Sequence, residues 1–270
     1  MLTFPNCKIN LGLHVVGKRA DGFHDLETVF YPLPLKDGLE VVTATGATTF
    51  TTSGLPVPGK TADNLVFRAY QLLQKDFPGL PAVQVHLHKH IPMGAGLGGG
   101  SSNAAFMLRL LNKKYRLQLD EPALVRYAAQ LGSDCPFFIR NQPVYATGRG
   151  EIMEDIALRL DGYSFLLVYP GVHVNTGWAF SQVRPQAPAY SLKTVLQQPV
   201  PTWKAALTND FEGPVTQAHP CLAEIKARMY AHGACYAAMS GSGSAMVGIF
   251  EKNALPNLQW EGGYQVFKIN

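Results

Sequence analysis

The chain is poor in charge. Aspartate, glutamate, lysine and arginine make up 16% of its 270 residues, and the net charge at pH 7 is +4. It has no dense Lys/Arg run of the kind that follows a nucleic-acid backbone. The nearest approach, Lys113-Lys114-Tyr115-Arg116, suits the cation-favouring end of a helix. No nucleic-acid partner is expected. Cysteine is scarce too. Cys7, Cys135, Cys221 and Cys235 are scattered without a C-x-x-C pair, so neither a zinc knuckle nor a disulfide framework is indicated. Reduced thiols in a cytoplasmic protein are the expectation. No apolar run approaches the about 20 residues of a membrane span. No basic stretch with an apolar core opens the chain, as a secretory leader would. A membrane partner is therefore not expected, and neither internal repeats nor low-complexity tracts are present. What remains is 47% hydrophobic, enough for a sizeable core in one large domain or two modest ones.

Glycine, by contrast, is concentrated. Pro92-Met93-Gly94-Ala95-Gly96-Leu97-Gly98-Gly99-Gly100-Ser101-Ser102 holds five glycines in eleven residues and closes on two hydroxyls. Val83-Gln84-Val85-His86-Leu87 before it alternates apolar and polar, the pattern of a half-buried strand. Asn103 to Leu111 after it is a run of good helix formers. Strand, glycine loop and helix in that order place a flexible backbone beside a helix N-terminus. Glycine permits close approach and positive φ, and the helix start offers unpaired N–H groups and a positive dipole end. The combination suits a phosphate group.

Three phosphate loops compete. A Walker loop ends in Gly-Lys-Ser/Thr, and Gly100-Ser101-Ser102 has no lysine. A dinucleotide fingerprint matches Gly94, Gly96 and Gly99 as G-x-G-x-x-G, with Asp120 near the offset of a ribose-binding acid. Two features oppose it. His90-Ile91-Pro92-Met93 separates the strand from the first glycine, and Asp120 stands before Glu121-Pro122 and an apolar-periodic run, as a helix cap does. The third template is the Pro-x-Gly-x-Gly-Leu-Gly-x-x-Ser-Ser pattern of the GHMP kinases, which residues 92–102 resemble throughout.

Elsewhere, Lys8-Ile9-Asn10-Leu11-Gly12-Leu13-His14-Val15 alternates strictly, and on alternation alone Lys8, Asn10 and His14 form a solvent face. Asp37-Gly38 between apolar strands predicts a hairpin. Thr61 to Asn64 offers caps for a helix carrying Leu65, Ala69 and Leu72. Ser133-Asp134-Cys135-Pro136 reads as a turn after a helix, with an extended residue ahead of the proline. Gly148-Arg149-Gly150-Glu151 reads as a crossing between domains, and the second half mixes strands and helices with an antiparallel flavour.

Four separated segments resemble one branch of the GHMP kinases, the 4-diphosphocytidyl-2-C-methyl-D-erythritol kinases. They are Cys7-Lys8-Ile9-Asn10-Leu11 with Arg19-Ala20-Asp21-Gly22-Phe23-His24 behind it, the glycine loop, Gly132 to Phe138, and Ser240-Gly241-Ser242-Gly243. The resemblance runs from Lys8 to Phe250. It implies an α+β, two-lobed GHMP kinase fold, with an N-terminal α/β lobe over 1–150 for ATP and a C-terminal α/β lobe over 151–270 completing the substrate site. It implies transfer of the ATP γ-phosphoryl group to the 2-hydroxyl of 4-CDP-2-C-methyl-D-erythritol, a small-molecule partner of the non-mevalonate route. Asp134 is then the general base, worth about 10²–10⁴-fold, and Lys8 the ammonium beside it that stabilises developing negative charge. Residues Pro92 to Ser102 would bind ATP, with Asn64 and Lys89 as adenosine contacts. Mg²⁺ would bridge the phosphates, with Ser101 or Ser102 as an oxygen ligand. Phe23 and Phe180 would stack on the cytosine, His24 would meet the base edge, and Asn10 and Thr176 the sugar-like part. Relatives often carry Tyr where this chain has Phe23, a change that keeps stacking and loses a hydroxyl. The rival readings are another small-alcohol kinase of the homoserine or mevalonate type, a nicotinamide-dependent oxidoreductase, and a non-catalytic nucleotide-binding module.

Overall fold

The computed structural model describes residues 1–270, which divide into two interleaved compact units. The first comprises Met1–Lys8, Pro32–Met93 and Gly98–Gln142; the second comprises Ile9–Tyr31, Gly94–Leu97 and Pro143–Asn270. The expected cut at 150/151 is not the one the packing follows. Two long strands, Asn6–Lys18 and His24–Lys36, each carry the chain from one unit into the other, and the glycine loop does so without a strand.

The first unit is built on β1 (Leu2–Thr3), the start of β2 (Asn6–Lys18), the end of β3 (His24–Lys36), β4 (Gly38–Thr43), β5 (Thr49–Gly54) and β6 (Val83–Lys89). Its sheet has the order β1-β4-β6-β5, with β6 antiparallel to β4 and parallel to β5. Val83, Val85 and Leu87 point inward while Gln84 and His88 face out, so the alternation in β6 is the half-buried strand that the sequence predicts. Four helices complete the unit: α1 (Leu65–Asp76), α2 (Gly99–Tyr115), α3 (Glu121–Ala129) and α4 (Cys135–Arg140). Helix α1 buries Val66, Ala69, Tyr70 and Leu73, the spacing of one helical face, and packs along α2. Asp120 caps α3 by accepting from the Ala123 amide at 2.8 Å. That use of its carboxylate removes the ribose-binding acid of the dinucleotide template.

Two local expectations fail here. Asp37-Gly38 is no hairpin: β3 and β4 lie in different sheets, and Asp37 is a buried junction residue whose carboxylate is taken up inside. Cys135 is not extended either. It opens α4 with Pro136 in the first turn, after Asp134 at φ −82 and ψ −15. A proline is tolerated there because the amide it lacks has no partner within the helix.

The second unit carries the rest of β2 and β3, then β7 (Val144–Thr147), β8 (Ile152–Asp155), β9 (Tyr163–Tyr169), β10 (Tyr236–Met239), β11 (Met246–Glu251) and β12 (Gln265–Ile269). One sheet runs β2-β3-β7-β8 and the other β10-β11-β9-β12, the latter wholly antiparallel. Residues Gly148 to Glu151 join the antiparallel pair β7 and β8, so they turn a hairpin rather than cross between domains. Helices α5 (Thr176–Gln182), α6 (Leu192–Leu196), α7 (Glu212–Ala218) and α8 (Cys221–Ala231) pack in the same unit. Helix α8 buries Leu222, Ile225 and Met229 against Val168, Met246 and Phe250, at roughly 1.5–3 kcal/mol for each side chain. The polar residues of β2 correct the solvent-face reading. Lys8, Asn10 and His14 are only 4%, 3% and 6% exposed. Each has a polar partner, as burial of such groups requires: Asp134 at 3.3 Å, Thr28 at 2.9 Å and Asp210 at 3.1 Å. No helix is long and apolar enough to cross a membrane.

Candidate active site

In the first unit, α2 begins at Gly99, four residues before the run of helix formers that marks it in the sequence. Gly98 stands at its N-cap with φ +67, and no side chain caps the end. The first-turn N–H groups are thus left for an anion, reinforced by the helix dipole. A Cβ on Gly98 would press on Lys8 Cγ and Phe138 Cζ, both at 3.0 Å. Glycine is therefore what lets the Lys8 side chain run beside the helix start.

Lys8 reaches Asp134 there, Nζ to Oδ2 at 3.3 Å, with the lysine side chain 5% and the aspartate 33% exposed. Asp134 stands at the N-cap of α4 but does not spend its carboxylate on capping. A buried ammonium thus backs a partly exposed carboxylate, next to an uncapped helix N-terminus. The arrangement can hold phosphate oxygens and accept a proton.

The end of β6 is fixed by Asp37. Its Oδ1 accepts from the His90 amide at 2.7 Å and the Ile91 amide at 2.8 Å, while its Oδ2 takes Lys89 Nζ at 2.5 Å and Asn103 Nδ2 at 2.8 Å. Burial pushes the Lys89 ammonium below its ordinary range, and Asp37 works against that. A recess beside this cluster is lined by Asn64, Leu65, Lys89, Met93, Gly100 and Asn103. Asn64 lies in the recess but its Oδ1 caps α1 at the Val66 amide, 2.9 Å away, and Lys89 is 1% exposed with its ammonium on Asp37. The two expected adenosine contacts therefore line the recess with these polar groups already engaged. Of the two hydroxyls, Ser101 is half-buried, and Ser102 is sealed inside with its Oγ unpartnered. No cluster of three His, Cys, Asp or Glu side chains is placed for a metal.

In the second unit the loop residues Gly94–Leu97 meet the segment after β10. Ser240 Oγ donates to the Gly96 carbonyl at 2.9 Å, and the Ala245 amide donates to the Ala95 carbonyl at 3.0 Å. Gly96, at φ +77, has no room for a Cβ against the Ser240 carbonyl. The same Ser240 hydroxyl accepts from the Asn10 amide at 3.2 Å. Asn10 thus supports this loop from a buried position. Thr176 pairs with Ser242 at 3.1 Å.

The aromatic residues are arranged differently from the expected pair of faces. His24 stacks on Phe180, centroids 5.0 Å apart and 17° from parallel, and Phe180 stands edge-on to Phe211. Phe23 is 53% exposed, with the Arg149 guanidinium 4.7 Å from its ring centre. The sequence reading missed Asp37, Asn103 and Arg149. The Asp-Gly dipeptide hid the first, since it signals a turn just as well.

Cys7, next to Lys8, is fully buried, and burial pushes its thiol up to about 12 from 9.0. The folded state refuses the thiolate, so the stability this contributes is whole below pH 9 and drains away as the pH rises towards 12. Between pH 9 and 11, chemical denaturation of wild type should lose up to about 1.4 kcal/mol more per pH unit than Cys7→Ala. Parallel pH profiles would contradict this.

Residues 64–142 match the model of the GHMP kinases N terminal domain and residues 192–259 that of the GHMP kinases C terminal. The chain is 51% identical over 272 aligned positions to the 4-diphosphocytidyl-2-C-methyl-D-erythritol kinase of Bacteroides thetaiotaomicron, covering 99% of each. It is 45% identical to the protein of the same name from Porphyromonas gingivalis, over 93% of each. Among solved structures it is similar to a 4-(cytidine 5'-diphospho)-2C-methyl-D-erythritol kinase, at 34% identity and a TM-score of 0.80 over 92% of this chain and 90% of that one. A mevalonate kinase from Methanococcus jannaschii shares the fold at a TM-score of 0.73 and 14% identity, over 99% of this chain and 97% of that one.

Proposed function

The chain belongs to the 4-diphosphocytidyl-2-C-methyl-D-erythritol kinase family of the GHMP kinases, and we propose roles for its residues on that premise. It is an ATP-dependent kinase that phosphorylates the 2-hydroxyl of 4-CDP-2-C-methyl-D-erythritol in isoprenoid precursor synthesis. The observation that carries the proposed roles is Lys8–Asp134 at 3.3 Å beside the uncapped start of α2. The N–H groups of α2 take phosphate oxygens of ATP. Asp134 takes the proton from the 2-hydroxyl, the freed oxygen pair attacks the γ-phosphorus, and the bond to the ADP oxygen breaks. Lys8 stabilises negative charge on the phosphoryl oxygens as they pass.

A Mg²⁺ ion would be held mainly by the ATP phosphates, with a serine hydroxyl at the start of α2 as the protein's oxygen donor. When bound, that ion neutralises phosphate charge. Ser101 is the hydroxyl we place nearest to it, since Ser102 is sealed.

On the cytidyl side we assign the second unit's Phe23, His24 and Phe180 to the base, with Thr176 on the sugar-like part and Asn10 as a buried support. Phe23 keeps an exposed ring, and Arg149 holds it in place. Phe23→Ala should raise KM for the cytidyl substrate about tenfold, the scale of one base stack, and leave KM for ATP unchanged. Equal rises in both would remove Phe23 from the base site.

Coupled ADP release over 4-CDP-methylerythritol, methylerythritol 4-phosphate, homoserine, mevalonate and galactose tests the reading as a whole. Turnover is expected on the first compound alone. Turnover on another member in its place would keep the kinase and discard the aromatic base site.

A further inference from the structure

We propose that Asp37 is a positioning residue for ATP: it sets the N-terminus of α2 against the end of β6 and so shapes the recess that receives the nucleotide. The inference rests on the ATP reading above. Its basis is the division of labour between the two carboxylate oxygens. Oδ1 holds the strand end through the His90 and Ile91 amides, and Oδ2 holds the helix through Asn103 and also takes Lys89. The Asp37 side chain is 0% exposed and that of Lys89 1%, so the cluster is dry and stiff. Asn103 and Lys89 also line the recess.

A carboxylate suits this place and an amide does not. Four donors converge on it, and an asparagine would turn an NH₂ group towards two of them or towards the two backbone amides. Either way one tether is lost while the side-chain shape stays. The glycines that follow make the tether matter. Gly98, Gly99 and Gly100 open α2 with little stiffness of their own, so the direction of the first-turn N–H groups depends on what holds the helix from outside. Preorganisation of that kind appears in affinity for the ligand rather than in the chemical step.

The experiment compares steady-state kinetics and melting of wild type, Asp37→Asn, Asn103→Leu and the swap Asp37→Asn/Asn103→Asp. In the swap the amide at 37 donates to the new carboxylate at 103, which also receives Lys89. Asp37→Asn should raise KM for ATP about tenfold, the worth of a charge-assisted hydrogen bond, with KM for the cytidyl substrate unchanged. Asn103→Leu, which leaves the Asp37–Lys89 pair intact, should raise the same constant in the same selective way. The swap should bring KM for ATP back towards wild type. Lower melting temperatures with an unaltered KM for ATP would overturn the proposal and leave Asp37 a packing residue, and so would parallel rises in both KM values. Should Asp37→Asn fail to fold, Asn103→Leu alone decides by the same criterion. A wild-type enzyme with no saturable ATP dependence would instead overturn the kinase reading, which separates the two failures.

Discussion

Asp134→Asn should lower turnover by at least about a hundredfold and leave ATP binding nearly intact. The substitution keeps size and shape and removes the ability to accept a proton. It is also mild structurally. Asp134 makes no capping hydrogen bond, and a third of its side chain is open to solvent, so α4 loses no hydrogen bond and only a screened charge–dipole contact. The cost falls on Lys8, which is 5% exposed and 3.3 Å away. An amide oxygen there still accepts from the ammonium but no longer neutralises it. The stability loss should therefore be smaller than the catalytic loss. ATP titration and single-turnover phosphoryl transfer separate the two effects. A near-normal transfer rate would take the proton-accepting role from Asp134, and a loss of ATP affinity matching the loss of rate would make it a nucleotide ligand.

Asp134 and Lys8 also show how far the sequence alone reaches. The glycine loop was legible because its information is local: spacing, a strand before and a helix after. The Asp120 cap was legible for the same reason, since cap, proline and apolar period stand within a few residues. Lys8 was not legible from alternation. Period two says that Lys8, Asn10 and His14 share a face, but not whether another element covers it, and here it is covered. Only the resemblance drew Lys8 and Asp134 into one site. Asp37 failed for a sharper reason. Its neighbour Gly38 says turn, while the groups that decide its role, Lys89 and Asn103, lie 52 and 66 residues further on. The arrangement of the aromatic residues was hidden in the same way. That His24 stacks on Phe180, and that Arg149 lies against the Phe23 ring, are facts of tertiary packing with no local trace. The compact units follow no single cut in the chain, because β2 and β3 are long enough to serve both.

The glycine loop supplies the other large effect. Gly96→Ala should cost at least about 2 kcal/mol of stability, or roughly 4–8 °C of melting temperature, from the left-handed backbone and the collision together. The collision cannot be relieved cheaply, because the methyl group would overlap the Ser240 carbonyl, a backbone group rather than a movable side chain. The hydrogen bonds on either side, Ser240 Oγ to the Gly96 carbonyl and the Ala245 amide to the Ala95 carbonyl, hold the two segments together. The loop must shift to fit, and a shift of about an ångström at a phosphate site can cost about a hundredfold in kcat/KM. Gly100→Ala is the control four residues on. There the nearest atom to an added Cβ is Leu65 Cδ1 at 4.0 Å, and the backbone is helical. Alanine should fit and stabilise by about 0.5–1 kcal/mol, the ordinary gain over glycine inside a helix. If both variants melt together, the left-handed turn at Gly96 is not what the sequence spends a glycine on. If Gly96→Ala alone falls in melting temperature and in kcat/KM for ATP, the turn is required for both the fold and the phosphate site.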